Sequence, residues 1–464
     1  MNNGVILILG ATGDLARKKI FPALYQLFIK NNLENSIIIG AALEVFSQDI
    51  FVGMLYEWVK PQDLFLWEEF CKRIYYYPID FLKEKDFDTL SIAVKELEKK
   101  HHLCHNRIVY CATAAYFYCS ITHNLARVHL IINTKQQKDI CHRIIYEKPF
   151  GHDLQSAKEI NRCIALYFEE SQIYRVDHYL SKELVSNIAL MRFTNIIFEP
   201  LWNNRYIDQV QIIFDENIGL EGRGAFYDKY GALADVVQNH MMQLVALIGM
   251  EAPKKLTGDY IQTARAEVLQ KVKVVDALLG QYDGYTDEQG IPQDSNTETF
   301  AQVYLRIENA RWAGVPFYLK TGKHLHKKET SIYIKFKKVD CLLSRACPSE
   351  SNYLTIEISP KPIFSLSLNT KKSGDSQEVA PVKMQFCNTL YAEESFTAYE
   401  ILLQEILKDE RSISVRFDEI EYAWNIIGAI RELKPSLYPY KKDTPGPQEA
   451  QTLFNKKYGI RWIT

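Results

Sequence analysis

GVILILGATGDLA, running from Gly4 to Ala16, decides the fold. Gly4–Gly10 is a short, nearly all-apolar run ending in glycine, the pattern of a strand buried on both faces in a parallel sheet. Asp14–Lys30 follows with apolar residues at Leu15, Ile20, Leu24, Leu27 and Phe28, a helical stripe. Between them Gly10, Gly13 and Ala16 form a GxxGxxA turn. Glycines there let the backbone approach a pyrophosphate, and the helix start supplies free N–H groups and a positive dipole. The pattern is not the full GxGxxG, so a plain strand–helix turn remains an alternative at this point.

Working outward, the alternation continues. Ser36–Ala42 (SIIIGAA) reads as a second buried strand and Gln48–Val59 as a second helix. Arg107–Thr113, Arg143–Tyr146 and Gln172–Asp177 read as strands and Ser156–Phe168 as a helix. Strand–helix alternation over this span means a doubly wound, Rossmann-like α/β dinucleotide-binding domain, placed at residues 1–176. After about residue 180 the pattern changes. Lys182–Phe193 is helical, then Gln209–Phe214, Phe300–Ile307, Ser331–Phe336, Leu354–Ile358 and Ile363–Leu368 read as strands, several with period two. Residues 177–464 are therefore expected to form a larger α+β domain on a mainly antiparallel sheet. Phe396–Leu407 and Asp418–Glu432 read as helices, with Asp418 placed to cap the second. The polar stretch Lys371–Gln377 reads as a surface loop or hairpin tip.

Composition excludes several classes. The 464 residues carry 55 Lys+Arg and 57 Asp+Glu, a formal charge of −2, with 47% hydrophobic and 24% charged residues. Such a chain is neither disordered nor a nucleic-acid binder acting through bulk charge. The longest apolar stretches, Val5–Leu9 and Met241–Met250, fall short of the roughly 18 residues of a membrane span. Met1 to Gly4 carries no basic region of the kind that opens a signal peptide. Nine cysteines (Cys71, Cys104, Cys111, Cys119, Cys141, Cys163, Cys341, Cys347 and Cys387) are odd in number and lack CxxC spacing. The expectation is a cytoplasmic protein with reduced, buried thiols. His101, His102, Cys104 and His105 cluster without standard zinc spacing, and no metal is expected.

Four further motifs carry chemistry. Lys148-Pro149 follows a buried strand at the edge where open α/β sheets bind ligands, with Pro149 a candidate for a cis peptide. In Asp177-His178-Tyr179-Leu180-Ser181-Lys182, His178 and Lys182 are four apart. On a helix they share one face, and near its start they suit a phosphate. His240, in DVVQNHMMQ, is either a hydrogen-bonded core histidine or a general base, with Asp177 available to hold its imidazole. Lys320, Lys323 and Lys328 cluster after a strand and suit an anionic substrate; a solvated hairpin is the plainer reading.

With these motifs in this order the sequence resembles the glucose-6-phosphate dehydrogenase family over nearly its whole length. The resemblance runs through GATGDLA, EKPFG, RVDHYLSKE, EGRGAFYDKYGA, DVVQNHMMQ, SNTETF, RWAGVPFYLKTGK, DEIEYAW and LYPY. It implies that His240 is the general base and Asp177 its orienting carboxylate. His178, Tyr179 and Lys182 match the residues that hold the sugar phosphate. Lys148, Glu216, Asp235 and Lys323 match those that hold the sugar, with Lys328 a further basic contact. Gly10, Thr12, Gly13, Asp14 and Leu15 match the cofactor turn, to which Lys148 and Glu44 are added. The implied reaction oxidises glucose 6-phosphate at C1 to the 6-phosphoglucono-1,5-lactone with NAD(P)+, the first step of the oxidative pentose phosphate pathway. A homodimer or homotetramer built through the large sheet is also implied, with no nucleic-acid or membrane partner.

Three departures stand out. The family's second strand usually ends G-x-A-R, the arginine holding the 2′-phosphate of NADP; here Leu43 stands there, followed by Glu44. Ala114-Ala115 replaces a proline pair, and Ala234 stands where many relatives carry arginine. The first departure turns the expected cofactor from NADP+ toward NAD+. The rival readings are a degenerate paralogue that binds nucleotide or sugar phosphate without turnover, and a dehydrogenase of a related sugar phosphate.

Overall fold

The computed structural model describes residues 3–33, 35–135, 140–339, 350–371, 379–387 and 396–463. Chain contacts group these residues into two compact units. The first holds the chain up to Lys182 together with Thr257–Gln262 and Phe396–Phe417; the remaining described residues form the second.

The first unit is a six-stranded, all-parallel sheet. Its strands are β1 (Gly4–Leu9), β2 (Ser36–Ala42), β3 (Ile74–Pro78), β4 (Arg107–Cys111), β5 (His142–Glu147) and β6 (Ile173–Val176), in the order β3-β2-β1-β4-β5-β6. Every residue of β1 is buried because its side chains serve two cores. Ile6 and Ile8 join the cluster of Phe21, Leu24, Ile38 and Phe51. Val5, Leu7 and Leu9 join Ile37, Phe87, Leu90 and Val109 on the other face. The helix after β1 begins with π-type turns over Ala16–Ile20 and continues as Phe21–Ile29. The helices Leu64–Cys71 and Glu84–Lys100 and the strand β3 complete the alternation.

The segment Phe396–Phe417, which chain order groups with the second domain, belongs to the first unit. Its helix, Ala398–Lys408, is capped by Thr397. Leu402, Leu403, Ile406 and Leu407 enter the core of Phe21 and Leu24, and Asp409 accepts a hydrogen bond from the Tyr174 hydroxyl at 2.6 Å. Apolar burial outweighs chain proximity here.

The second unit is a nine-stranded sheet. Its strands are β7 (Ile207–Asp215), β8 (Val272–Tyr282), β9 (Phe300–Ile307), β10 (Pro316–Gly322), β11 (Glu329–Phe336), β12 (Tyr353–Ser359), β13 (Ile363–Lys371), β14 (Val379–Cys387) and β15 (Leu437–Tyr440). The order is β14-β13-β12-β11-β7-β10-β9-β8-β15. The pairing is antiparallel except between β10 and β7 and between β15 and β8. The buried helical segment Leu233–Gly249 has π-type turns over Leu233–Met241. Asp418 stands inside the helix Phe417–Glu432 rather than before it, and its carboxylate accepts the Glu419 N–H at 2.9 Å. Most of the stretch Lys371–Gln377 lies outside the described residues, as do Cys341 and Cys347.

Two expectations are corrected. Cys119, exposed on the helix Tyr118–Arg127, and Cys163, on the helix Leu154–Ala165, form a disulfide with Cα atoms 5.7 Å apart. The neighbouring helices bring together residues that spacing leaves unrelated. Of the unpaired cysteines described, only Cys111 is fully buried, and Cys104 is exposed. Secondly, Asp177–Lys182 is a turn, and the helix starts at Glu183, so His178 and Lys182 do not share a helix face. Among the described residues no helix is long and apolar enough to cross a membrane.

Candidate active site

The Gly10–Gly13 turn lies where the strand order of the first sheet reverses, between β1 and β4, the place open α/β sheets bind ligands. Gly10 has φ +85°, and a Cβ there would stand 2.4 Å from the carbonyl oxygen of Ala112, just past β4. Only glycine fits. The Gly13 N–H donates back to the Gly10 carbonyl at 3.0 Å, closing the turn at the helix start. This glycine cradle suits a dinucleotide pyrophosphate.

The polar groups around the turn are already engaged with one another. The Thr12 hydroxyl donates to Glu44 at 2.7 Å, and the Tyr76 hydroxyl donates to the Glu44 carbonyl at 2.5 Å. Asp14 is paired with Arg17 at 2.7 Å and Lys18 at 2.9 Å. The hydrogen bond from Lys18, then that from Arg17, lowers its pKa. Both cations also lie over Trp58, Lys18 at 4.9 Å and Arg17 at 5.9 Å from the ring centre. Leu43 is 66% exposed beside Glu44, and Leu15 is half-buried.

At the other end of the first unit's sheet-edge motifs, Lys148 follows β5 and its peptide bond to Pro149 is cis. Asp177, which follows β6, is buried, and its Oδ1 accepts the Tyr179 N–H at 2.9 Å. The Lys182 N–H donates to the Tyr179 carbonyl at 3.1 Å, so the turn folds back on itself. Lys182 Nζ then lies 3.7 Å from the centre of the Tyr179 ring, a cation–π contact. The His178 ring stacks on Tyr399, with centroids 6.3 Å apart and planes at 12°. His178, Tyr179 and Lys182 are thus brought together by a turn instead of a helix face.

In the second unit, β7 and β10 run parallel with Asp215 opposite Gly322. That register carries the next residues together: Lys323 Nζ meets Glu216 at 2.6 Å. Lys320 pairs with Asp215 at 2.8 Å, with both side chains buried. The lysines after this strand are therefore not one open cluster. Lys320 is committed within the sheet, Lys323 faces Glu216, and Lys328 is exposed before β11. Burial raises the Asp215 pKa to about 6 despite Lys320.

Tyr227 connects further site candidates. Its ring centre lies 5.1 Å from Lys323 Nζ. Burial first, then the nearby Asp235 and Glu298, pushes its phenol well above the ordinary range. The Tyr440 hydroxyl donates to the Lys323 carbonyl at 2.7 Å. His240 is buried, with its ring parallel to Phe214 at 5.7 Å, and its backbone N–H donates to the Asn239 side-chain oxygen at 2.9 Å. Tyr227 and Tyr440 lie within the EGRGAFYDKYGA and LYPY motifs, which do not single them out, and nothing local hints at Tyr399.

Comparison with known proteins bears on both units. Residues 7–187 match the model of the glucose-6-phosphate dehydrogenase NAD binding domain, and residues 189–463 that of its C-terminal domain. The chain is 36% identical over 484 residues to the glucose-6-phosphate 1-dehydrogenase of Bacillus subtilis (strain 168), covering 99% of this chain and 98% of that one. It is 36% identical to the cytoplasmic glucose-6-phosphate 1-dehydrogenase 6 of Arabidopsis thaliana, covering 99% and 93%. A crystal structure of the enzyme from Mycobacterium avium is similar with a TM-score of 0.85 and 32% identity, covering 100% and 99%. A glucose-6-phosphate dehydrogenase in complex with its substrate glucose 6-phosphate gives 0.91 at 30% identity, with the same coverage.

Proposed function

The chain belongs to the glucose-6-phosphate dehydrogenase family, and from that premise we infer that it oxidises D-glucose 6-phosphate at C1 to the 1,5-lactone. The observation that carries this reading is the match to both family domains, in order, across residues 7–187 and 189–463. The glycine turn at Gly10–Gly13 stands at the start of the helix after β1, where the strand order reverses, a place that suits a nicotinamide dinucleotide. Bound there, that cofactor accepts the hydride, so the protein's own task is to bind, orient and move a proton.

His240 is the proposed general base. Loss of hydride from C1 leaves positive character that departure of the O1 proton relieves, and a neutral imidazole takes that proton at neutral pH. Asp177 is the proposed orienting carboxylate, stabilising the imidazolium. His178, Tyr179 and Lys182 are assigned to the phosphate, a remote anionic handle whose binding energy positions C1. Lys148, Glu216, Asp235 and Lys323 are assigned to the sugar hydroxyls, and Lys328 to a further basic contact. The Lys323–Glu216 pair supports that assignment, since it offers a donor and an acceptor side by side.

The cofactor assignment follows from charge. The 2′-phosphate of NADP+ needs a cation or several donors. Leu43 offers neither, Glu44 is anionic, and Arg17 and Lys18 are engaged by Asp14. A carboxylate at this strand end is what dinucleotide folds use to accept the free ribose hydroxyls of NAD+. We therefore propose that NAD+ is used in preference to NADP+ or at comparable efficiency. Thr12 holds Glu44 in place.

A homodimer or homotetramer and a cytoplasmic setting complete the proposal. Val382, Met384 and Phe386 on β14 are each about half exposed, apolar area that a partner subunit would cover. The reading is tested by following reduced-nicotinamide absorbance with glucose 6-phosphate and each dinucleotide. Turnover supports it; no turnover with either, alongside measurable binding, favours the non-catalytic alternative.

A further inference from the structure

Glu147 ends β5 immediately before Lys148, and none of the roles above uses it. It is buried, yet both its ends are held. The Tyr110 hydroxyl, from β4, donates to its carboxylate. The Tyr118 hydroxyl, from the neighbouring helix, donates to its carbonyl at 2.6 Å. Both tyrosines are fully buried. On the other side, Glu147 is in register with Val176 of β6, so Asp177 follows next door. A buried carboxyl flanked in this way fixes the backbone from which Lys148 projects and carries a charge that Asp177 feels.

We propose that Glu147 is a positioning residue for the reaction, acting on Lys148 through the backbone and on Asp177 through its charge. The proposal rests on the functional reading above. The groups around it within this unit are Tyr110 on β4, Tyr118 on the adjoining helix, Lys148 beside it, Asp177 after β6 and Tyr399 on the helix Ala398–Lys408. Burial raises the Glu147 pKa to about 7; the Tyr110 hydrogen bond and Lys148 oppose the rise, and Asp177 adds to it. Proton loss from Glu147 therefore adds a negative charge next to Asp177 around neutral pH. A like charge makes Asp177 more basic and strengthens its hold on an imidazolium.

The test is the pH profile of kcat. The wild type should rise with pH through two ionisations, one of them near pH 7. Glu147→Gln, nearly isosteric, should lose that ionisation and fall about tenfold in kcat at high pH, one pKa unit's worth of interaction, with KM for the sugar phosphate little changed. Tyr110→Phe removes a bond that favours the ionised form, so it should move the ionisation to higher pH. It also serves if Glu147→Gln folds poorly. A merely structural role would lower kcat equally at every pH. A Glu147→Gln profile of wild-type shape, or an unmoved ionisation in Tyr110→Phe, overturns the proposal. Infrared difference titration reads the carboxyl without substrate: a protonated-carboxyl band should titrate near pH 7 in the wild type and vanish in Glu147→Gln. Absence of that wild-type band overturns the proposal even if turnover is normal. Absence of turnover with the band present overturns the functional reading and, with it, the positioning role.

Discussion

The Gly10–Gly13 turn and the strand ends Asp215–Glu216 and Gly322–Lys323 both close a pair of parallel strands, and they handle charge in opposite ways. At the turn, Gly10 lies too close to the Ala112 carbonyl for any side chain; the nearby charges, Asp14 with Arg17 and Lys18, lie at the surface. At the second pair, cations and carboxylates are matched inside the protein, Lys320 to Asp215 and Lys323 to Glu216. A backbone cradle recognises a shape and an anion. A matched side-chain pair recognises hydroxyls, since it donates and accepts at one place. At the rim of the first arrangement Leu43 is exposed; in the second, unpairing a buried charge is costly.

The largest effect is expected at His240. His240→Asn should lower kcat by roughly 10²–10⁴ with KM for glucose 6-phosphate near wild type. Wild-type turnover would make His240 a core histidine stacked on Phe214 and nothing more. Next comes Lys320→Met, which leaves Asp215 buried without its cation and should cost about 3 kcal/mol in denaturant unfolding at pH 8. The cost should shrink toward pH 5. The Asp215 pKa is raised from 3.8 to about 6, so the folded state holds a proton that the unfolded state has lost. Stability then falls as pH rises through that window, and the fall is greater once Lys320 is gone. A pH-independent cost would mean that packing, not charge, sets the tolerance of the strand-end pair.

Lys182→Ala should raise KM for glucose 6-phosphate about tenfold and weaken discrimination against free glucose, as a charge-assisted contact is lost. An unchanged KM would leave Lys182 as a cation resting on Tyr179. The smallest effect is expected at the disulfide. Thiol labelling of the unfolded chain should find Cys119 and Cys163 protected until reduction, and Cys119→Ser should leave kcat unchanged. Free labelling of both without reduction would contradict the pairing.

The first sheet was readable because its strands are apolar on both faces and its helices periodic. Ser36–Ala42 and Gln48–Val59 coincide with the observed elements. β3 escapes a sequence reading: IYYYP is only five residues long and ends in proline, and it lies between the helices Leu64–Cys71 and Glu84–Lys100. The placement of Phe396–Phe417 was unreadable for a different reason. Its leucines pack against Phe21 and Leu24, hundreds of residues away, and helical periodicity tells which face is apolar but not what covers it. The same distance hides the Tyr399–His178 stack, and a separation of 44 residues hides the Cys119–Cys163 bond. The sequence singles out Lys323 among its neighbouring lysines, but its pairing with Glu216 depends on the register of β7 with β10. The turn at Asp177–Lys182 was misread as a helix because spacing of four residues suits both a helix and a compact turn.

The central claim joins the two regions: the proposed sugar-phosphate chemistry is served by a proposed cofactor turn whose rim suits NAD+. Its most direct test is kcat/KM for NAD+ and NADP+ at saturating glucose 6-phosphate, on the wild type and on Leu43→Arg/Glu44→Gln. The account predicts a wild type whose NAD+ value equals or exceeds that for NADP+, and a double variant shifted strongly toward NADP+. A wild type favouring NADP+ by a hundredfold or more, about 2.7 kcal/mol, would contradict it.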